Sequence, residues 1–222
     1  MTLRSVSVLM PTTDMMHSET TRCLVEMMMT SGMRARDAGL GNISLHMYQS
    51  SMLPQSRNVL AASALEIGAT HLLWIDSDMT FPRDMLLRFL QREEKLIGIN
   101  AIQRKPPFNN SAQRDDFSQV MTREDSTGIE KVRRTGFGVM WAASEVFQAI
   151  PKPWFDYEYL SDLDCFRGED YGFCERAIAA GYVVHIDHDL SRQVGHLGTF
   201  AYGPVMKQQA EAIAQLEGMR PL

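Results

Sequence analysis

His71-Leu72-Leu73-Trp74-Ile75-Asp76-Ser77-Asp78 is the stretch on which the fold turns. Its first five residues form a short apolar run without alternation, which reads as a strand buried on both faces. The run breaks at once into two carboxylates one residue apart. Pro82 then stands near a helix N-terminus, and Met85, Leu86, Phe89 and Leu90 follow at helical spacing. Strand, polar turn and helix in that order make an α/β unit, and open α/β sheets bind ligands at the carboxyl ends of their strands. Asp76 and Asp78 occupy such an end.

The same alternation extends upstream. Ser5 to Met10 predicts a first strand that ends at Pro11-Thr12-Thr13, and a helix covers His17 to about Arg36. Ile43 to Tyr48 alternates like a strand at a sheet edge, and a helix runs from near Gln55 to Gly68. Downstream, Leu96 to Ile102 predicts a strand, and Arg104 to Asp116 a polar loop. Phe117 to Met121 and Ile129 to Arg134 predict a hairpin closed over Asp125-Ser126-Thr127-Gly128. Phe137 to Ala142 reads as a strand, and Ser144 caps a short helix that ends before Pro151. A helix from about Tyr171 to Ala180 leads into the strand Tyr182 to Ile186, and a last helix spans Pro204 to Leu216. Without repeats or a linker, residues 1–222 are expected to form one α/β domain, the character changing near residue 102.

Bulk properties exclude some classes. A formal net charge of −5 over 222 residues opposes a protein that coats nucleic acid by bulk electrostatics. Only Arg104, Lys105, Lys131, Arg133 and Arg134 offer a local basic groove, and exposed basic strands are usually soluble edges. Three cysteines without metal-type spacing point to a reducing, cytoplasmic setting. No charged leader precedes the first strand and no apolar run approaches the ~20 residues that span a bilayer, so the chain reads as soluble. The sixteen methionines read as core filling.

Three constellations carry chemistry. Asp76 and Asp78 have the spacing to hold a hard divalent ion open to phosphate oxygens, though such pairs also cap turns. Glu169-Asp170 follows Gly168, read as a tight turn, at the start of a helix. There acids compensate the helix dipole, or one of them takes a proton from a bound hydroxyl. His196, between Gly195 and Gly198, is a loop imidazole next to backbone that approaches closely, a ligand or merely a hydrogen-bonded side chain. Arg57-Asn58 could meet the anionic groups of a nucleotide or form a surface salt bridge. The Trp154-Phe155-Asp156-Tyr157 cluster could stack on a sugar or base, whereas Trp141 reads as core. His185 and His188 read as structural.

Taken in order from Ser5 to about Tyr202, these pieces resemble GT-A fold glycosyltransferases, particularly the family 2-like enzymes common in bacteria and phages. The resemblance rests on Pro11-Thr12, the Arg57-Asn58 helix and Leu72 to Asp78. It continues through Thr135-Gly136-Phe137-Gly138-Val139-Met140, Gly168 to Cys174 and Gly195-His196-Leu197-Gly198-Thr199. It implies a Rossmann-like mixed sheet, with a nucleotide-sugar half to about residue 102 and an acceptor half beyond it. Pro11 and Thr12 would lie against the base, Arg57 near the base or diphosphate, and Glu169 with the nucleotide-sugar. Asp76 would approach ribose and metal, Asp78 and His196 would ligate Mn²⁺ or Mg²⁺, and Asp170 would be the general base of an inverting transfer. A UDP- or GDP-sugar is the implied donor. The acceptor is open: a hydroxymethylated DNA base, a glycan or a small alcohol. The chain lacks the Gln-x-x-Arg-Trp segment of processive synthases, which implies a single transfer. The acidic residue often found after the first strand is represented only by Asp14. Two other readings remain: a metal-dependent nucleotidyltransferase or phosphoesterase on the same carboxylates, and a non-catalytic sugar-nucleotide-binding module.

Overall fold

The structure is a computed structural model that describes residues 3–104 and 108–198. The expected helix from Pro204 to Leu216, together with Lys105 and Thr199 to Tyr202, lies outside them.

Strand β1 (Arg4–Thr12), helix α1 (Ser18–Met33), strand β2 (Leu40–Gln49), helix α2 (Leu53–Glu66) and strand β3 (His71–Ile75) open the chain. Strand β4 (Met79–Thr80), helix α3 (Met85–Phe89) and strand β5 (Leu96–Gly98) follow, then β6 (Ile129–Val132), β7 (Val139–Ala143) and α4 (Ser144–Ala149). The last described elements are β8 (Glu158–Leu160), β9 (Cys165–Arg167), α5 (Glu169–Ala179), β10 (Val184–Asp187), α6 (His188–Ser191) and β11 (Gly195–His196).

Seven strands form one mixed sheet in the order β2-β1-β3-β7-β5-β10-β6. β1 runs parallel to β2 and β3, and β10 parallel to β5, while β7 and β6 run antiparallel to their neighbours. β3 lies inside the sheet, between β1 and β7, as its unbroken apolar run requires. Leu72 and Trp74 enter the core covered by α2, α4 and α5, and Leu73 and Ile75 enter the one covered by α1, α3 and α6. β7, from beyond residue 102, sits between β3 and β5 from before it, so the two halves of the chain share one sheet.

Three expectations change. Phe117 to Met121 forms no strand with Ile129 to Arg134. Instead Gln113 bridges to Gln119 and Arg134, and β6 pairs with β10. The turn ending at Gly128 (φ 76°) is held from the other side, since Gly128 N donates to Asp189 Oδ2 and His188 N to Gly128 O, both at 2.9 Å. The strand leaving that turn is therefore delivered to β10. β5 stops at Gly98 because Asn100 takes over the backbone hydrogen bonding: its side chain donates to Val120 O and accepts from Ala112 N, each at 2.8 Å. The methionines divide: Met10, Met27, Met79, Met85 and Met140 are core, but Met15, Met29 and Met33 are exposed.

Candidate active site

The end of β3 is where the candidate site residues gather. Asp76 N donates to Gly138 O at 2.9 Å, which ties the turn to the approach of β7. Past Ser77 the chain enters β4, which pairs antiparallel with β11 so that His196 lies opposite Met79. Leu197 N donates to Asp78 O at 2.8 Å. The close approach needs Gly195: a Cβ there would stand 2.5 Å from Thr80 Oγ1. The glycine beside His196 thus has a steric cause, and it brings a residue from the far end of the described chain onto the Asp76–Asp78 turn.

His196 Nδ1 donates to Ile102 O at 2.9 Å, since a carbonyl can only accept, and that bond selects the tautomer. Nε2 is left facing Asp78 Oδ1 at 3.5 Å. Asp78 Oδ1 is buried without a hydrogen-bond partner, while Oδ2 meets Arg104 Nη1 at 2.9 Å. Two lone-pair atoms held face to face in this way need a cation: a proton on His196, or a metal. Burial pushes the Asp78 carboxyl up, but the contact with His196 and the charge of Arg104 outweigh it and hold Asp78 below its ordinary value. Asp78 in turn raises His196 against its own burial. Among the described residues, no three His, Cys, Asp or Glu side chains form a ready-made metal cage. The pair fits instead an ion that completes its shell with substrate oxygens, as Mg²⁺ does when one or two carboxylates share it with phosphates. A backbone carbonyl behind the imidazole is the usual support of a metal-binding histidine.

Asp76 faces the other way. Its Oδ1 accepts from Arg57 Nη2 at 2.9 Å, and Arg57 Nε lies 3.3 Å from Glu169 Oε1. Burial raises Asp76, Arg57 works against that, and the carboxylates Asp78 and Glu169 add to the rise. Arg57 is 1% exposed, with its guanidinium 5.2 to 5.9 Å from the ring centres of Trp74, Phe137 and Phe155. Arg57 and Glu169 line neither of the two clefts described next. The sequence placed Arg57 at the base or diphosphate, or in a surface salt bridge. The structure seals it behind Asp76, with its charge turned toward two carboxylates.

α5 begins at Glu169, two residues before the expected start, so Asp170 lies in its first turn with Oδ1 accepting from Tyr171 N at 2.7 Å. Burial, then the charge of Glu169, pushes the Asp170 carboxyl up to about 6, partly countered by Arg57. Gly168 has an ordinary φ of −62°, so no tight turn explains it. Space does, because a Cβ at Gly168 would lie 2.8 Å from Asp170 Oδ1, and one at Gly136 would lie 3.5 Å from Oδ2.

Of the clefts that His196 borders, two also contain these carboxylates. One, of about 310 Å³, is lined by Pro11, Thr12, Asp76, Asp78, Arg104 and His196 among others. The other, of about 780 Å³, has Asp170, Gly136, Gly138, Phe117 and the β8–β9 hairpin on its walls. Asp76 and His196 line both and form the partition. Of the aromatic cluster, Trp154 and Phe155 are buried in a core of rings with Phe137, Phe147 and Phe173, so neither is available to stack on a ligand. Only Tyr157 is open, at 51%. Trp141 is core, stacked on Phe89 and His71. Asp14 accepts from Gln49 Nε2 and lines neither cleft.

No protein-family model and no curated protein matches this sequence. Solved structures match in shape. A197 from STIV superposes with a TM-score of 0.55 at 12% identity, covering 90% of this chain and 97% of that one. A Drosophila beta-1,4-galactosyltransferase 7 mutant, in complex with manganese, UDP-Gal and xylobiose, superposes with a TM-score of 0.53 at 12% identity, covering 93% of this chain and 79% of that one. At this identity the likeness is one of fold, and the fold is GT-A-like. No described helix is long and apolar enough to cross a membrane.

Proposed function

We propose that this chain is a metal-dependent glycosyltransferase that moves one sugar from a UDP- or GDP-sugar to an acceptor hydroxyl. The observation that carries the reading is the shared partition. Asp76 and His196 stand between a cleft containing Asp78 and a cleft containing Asp170. A transferase needs this arrangement, with the donor's diphosphate and the acceptor's base on opposite sides of the reacting carbon.

Pro11 and Thr12 bound the smaller cleft where the nucleotide base would lie. Asp78 and His196 would hold Mn²⁺ or Mg²⁺, with Asp76 between them and the ribose. Bound there, the ion would offset the charge that develops on the departing diphosphate. Arg57 and Glu169 act from behind, fixing Asp76 and the start of α5. Asp170 takes the acceptor's proton as the acceptor oxygen bonds the anomeric carbon. The bond from that carbon to the diphosphate breaks, and the nucleoside diphosphate carries away the electron pair. With its pKa raised to about 6, Asp170 is ionised at neutral pH and a stronger base than an ordinary carboxylate.

The test is incubation with a panel of UDP- and GDP-sugars plus Mn²⁺, with chromatography of the nucleotide released. Slow release of UDP or GDP that chelation abolishes is the expected result. Release of UMP or GMP would instead establish phosphoesterase or nucleotidyltransferase chemistry on the same carboxylates. Tight sugar-nucleotide binding indifferent to metal, with nothing released, would make the chain a binding module.

A further inference from the structure

The walls of the larger cleft carry several large apolar side chains. The β8–β9 hairpin contributes Leu163 and Phe166, exposed at 70% and 69%, and Tyr159 pairs with Phe166 at 5.2 Å between ring centres. Phe117 also lines the cleft and is 53% exposed. Its backbone is held at φ 64°, a region that bulky residues rarely enter and that concentrates at functional sites. The guanidiniums of Arg133 and Arg134 lie 5.0 and 4.9 Å from its ring centre and support the ring through cation–π contact. Large apolar side chains clustered in the open are informative where scattered ones are not.

Several polar side chains on these walls already have protein partners, although Arg167 Nε is buried without one. Arg134 Nε donates to Gln113, Arg167 Nη1 to Glu158, Ser111 pairs with Thr135, and Asp76 is held by Arg57. A saccharide here would have to share the remaining donors and acceptors among many hydroxyls, and each one buried without a partner costs about 1–3 kcal/mol. A planar apolar ring carrying one hydroxyl asks for a single polar partner, which Asp170 supplies, and for apolar contact, which Phe117 and Phe166 supply from the walls.

We infer that the larger cleft takes an alcohol borne on a flat aromatic ring, with Phe117 and Phe166 setting that specificity. As an acceptor assignment this rests on the transferase reading above. In the reaction the alcohol's oxygen would bond the anomeric carbon, its proton would pass to Asp170, and the nucleoside diphosphate would leave.

Binding is testable apart from transfer, because Cys165 lines this cleft and is exposed while Cys23 and Cys174 are buried. Alkylation of Cys165 by iodoacetamide, followed by mass spectrometry, is measured with 2-naphthylmethanol or with methyl glucoside at equal concentration. The expected result is at least about fivefold slowing by the naphthyl alcohol and less than twofold by the glucoside. Phe117→Gly, which also relieves the positive φ, and Phe166→Ser, at an exposed position, should each abolish the protection without lowering the melting temperature. Equal protection by the glucoside, no protection by either probe, or full protection in both variants would overturn the assignment. Nucleotide release without ring protection would remove this inference alone. Ring protection without nucleotide release from any sugar would remove the transferase reading and leave the ring site.

Discussion

Asp170 is a carboxyl whose environment works against its charge. Its folded pKa of about 6 lies above the ordinary 3.8, so the ionised form opposes folding. That opposition is absent below pH about 4 and is fully present once the pH has risen through about 6. Asp170→Asn is therefore expected to stabilise the protein at pH 8 by roughly 1–3 kcal/mol, the worth of one to two pKa units, and to do nothing for it at pH 3.5. Urea denaturation at the two pH values checks the sign. The same substitution should lower transfer by about 10²- to 10⁴-fold with donor affinity retained. On the transferase reading proposed above, kcat/KM of the unsubstituted protein should fall as pH drops below about 6, tenfold per unit, as Asp170 becomes protonated. A flat profile between pH 5 and 8 would remove Asp170 from the role of base. The sequence showed that Glu169-Asp170 begins a helix, but not which of the two faces a cleft. One residue along a helix rotates the side chain by about 100°, and only the packing of α5 settles where each points.

At the scale of elements, the pairing of β4 with β11 is the device that completes the turn after β3. Each strand is two residues long, too short for periodicity to announce it, and they are separated by more than a hundred residues of chain. What the sequence did carry was Gly195. Gly195→Ala would drive a methyl into Thr80 Oγ1 and move His196 off Asp78. Mn²⁺ affinity, read by isothermal titration in the presence of UDP, should weaken about 10- to 100-fold. Adding Thr80→Ala removes the clashing oxygen and should recover part of the loss, a coupling between contacting residues that a double-mutant cycle measures. The mistaken hairpin has a matching cause. Local alternation predicts a strand without naming its partner, and Asp189 and His188, distant in sequence, hold the Gly128 turn so that β6 pairs with β10.

Over the whole molecule, the site is a balance of charge set inside an aromatic core. Asp76 follows the end of β3 and Glu169 and Asp170 begin α5, and Arg57, walled by Trp74, Phe137 and Phe155, is a buried cation among them. Arg57→Met is expected to cost about 3–5 kcal/mol at pH 8, because it leaves buried carboxylates uncompensated. The deficit should shrink at pH 5. Asp76 and Asp170 are already raised, would rise further without Arg57, and below their folded values take up protons that remove the repulsion. Chemical denaturation at both pH values measures this, and an equal loss at each would show that Arg57 acts through packing alone.

Local residue pattern was enough for the α/β alternation, the burial of His71 to Ile75 inside a sheet and the carboxylates at its end. These follow from burial on both faces of a strand and from the side-chain period of two, which are local properties. It took the packing of distant segments to insert β7 between β3 and β5, to bring His196 to Asp78 and to set Asp76 and His196 between two clefts. The same packing also turned Arg57 from an expected ligand contact into a buried counter-charge, and Trp154 and Phe155 from stacking candidates into core. Each of those outcomes depends on which distant surfaces exclude water from one another. Hydrophobic burial is non-directional and acts on area, so a residue's type records that it will be covered and not by what.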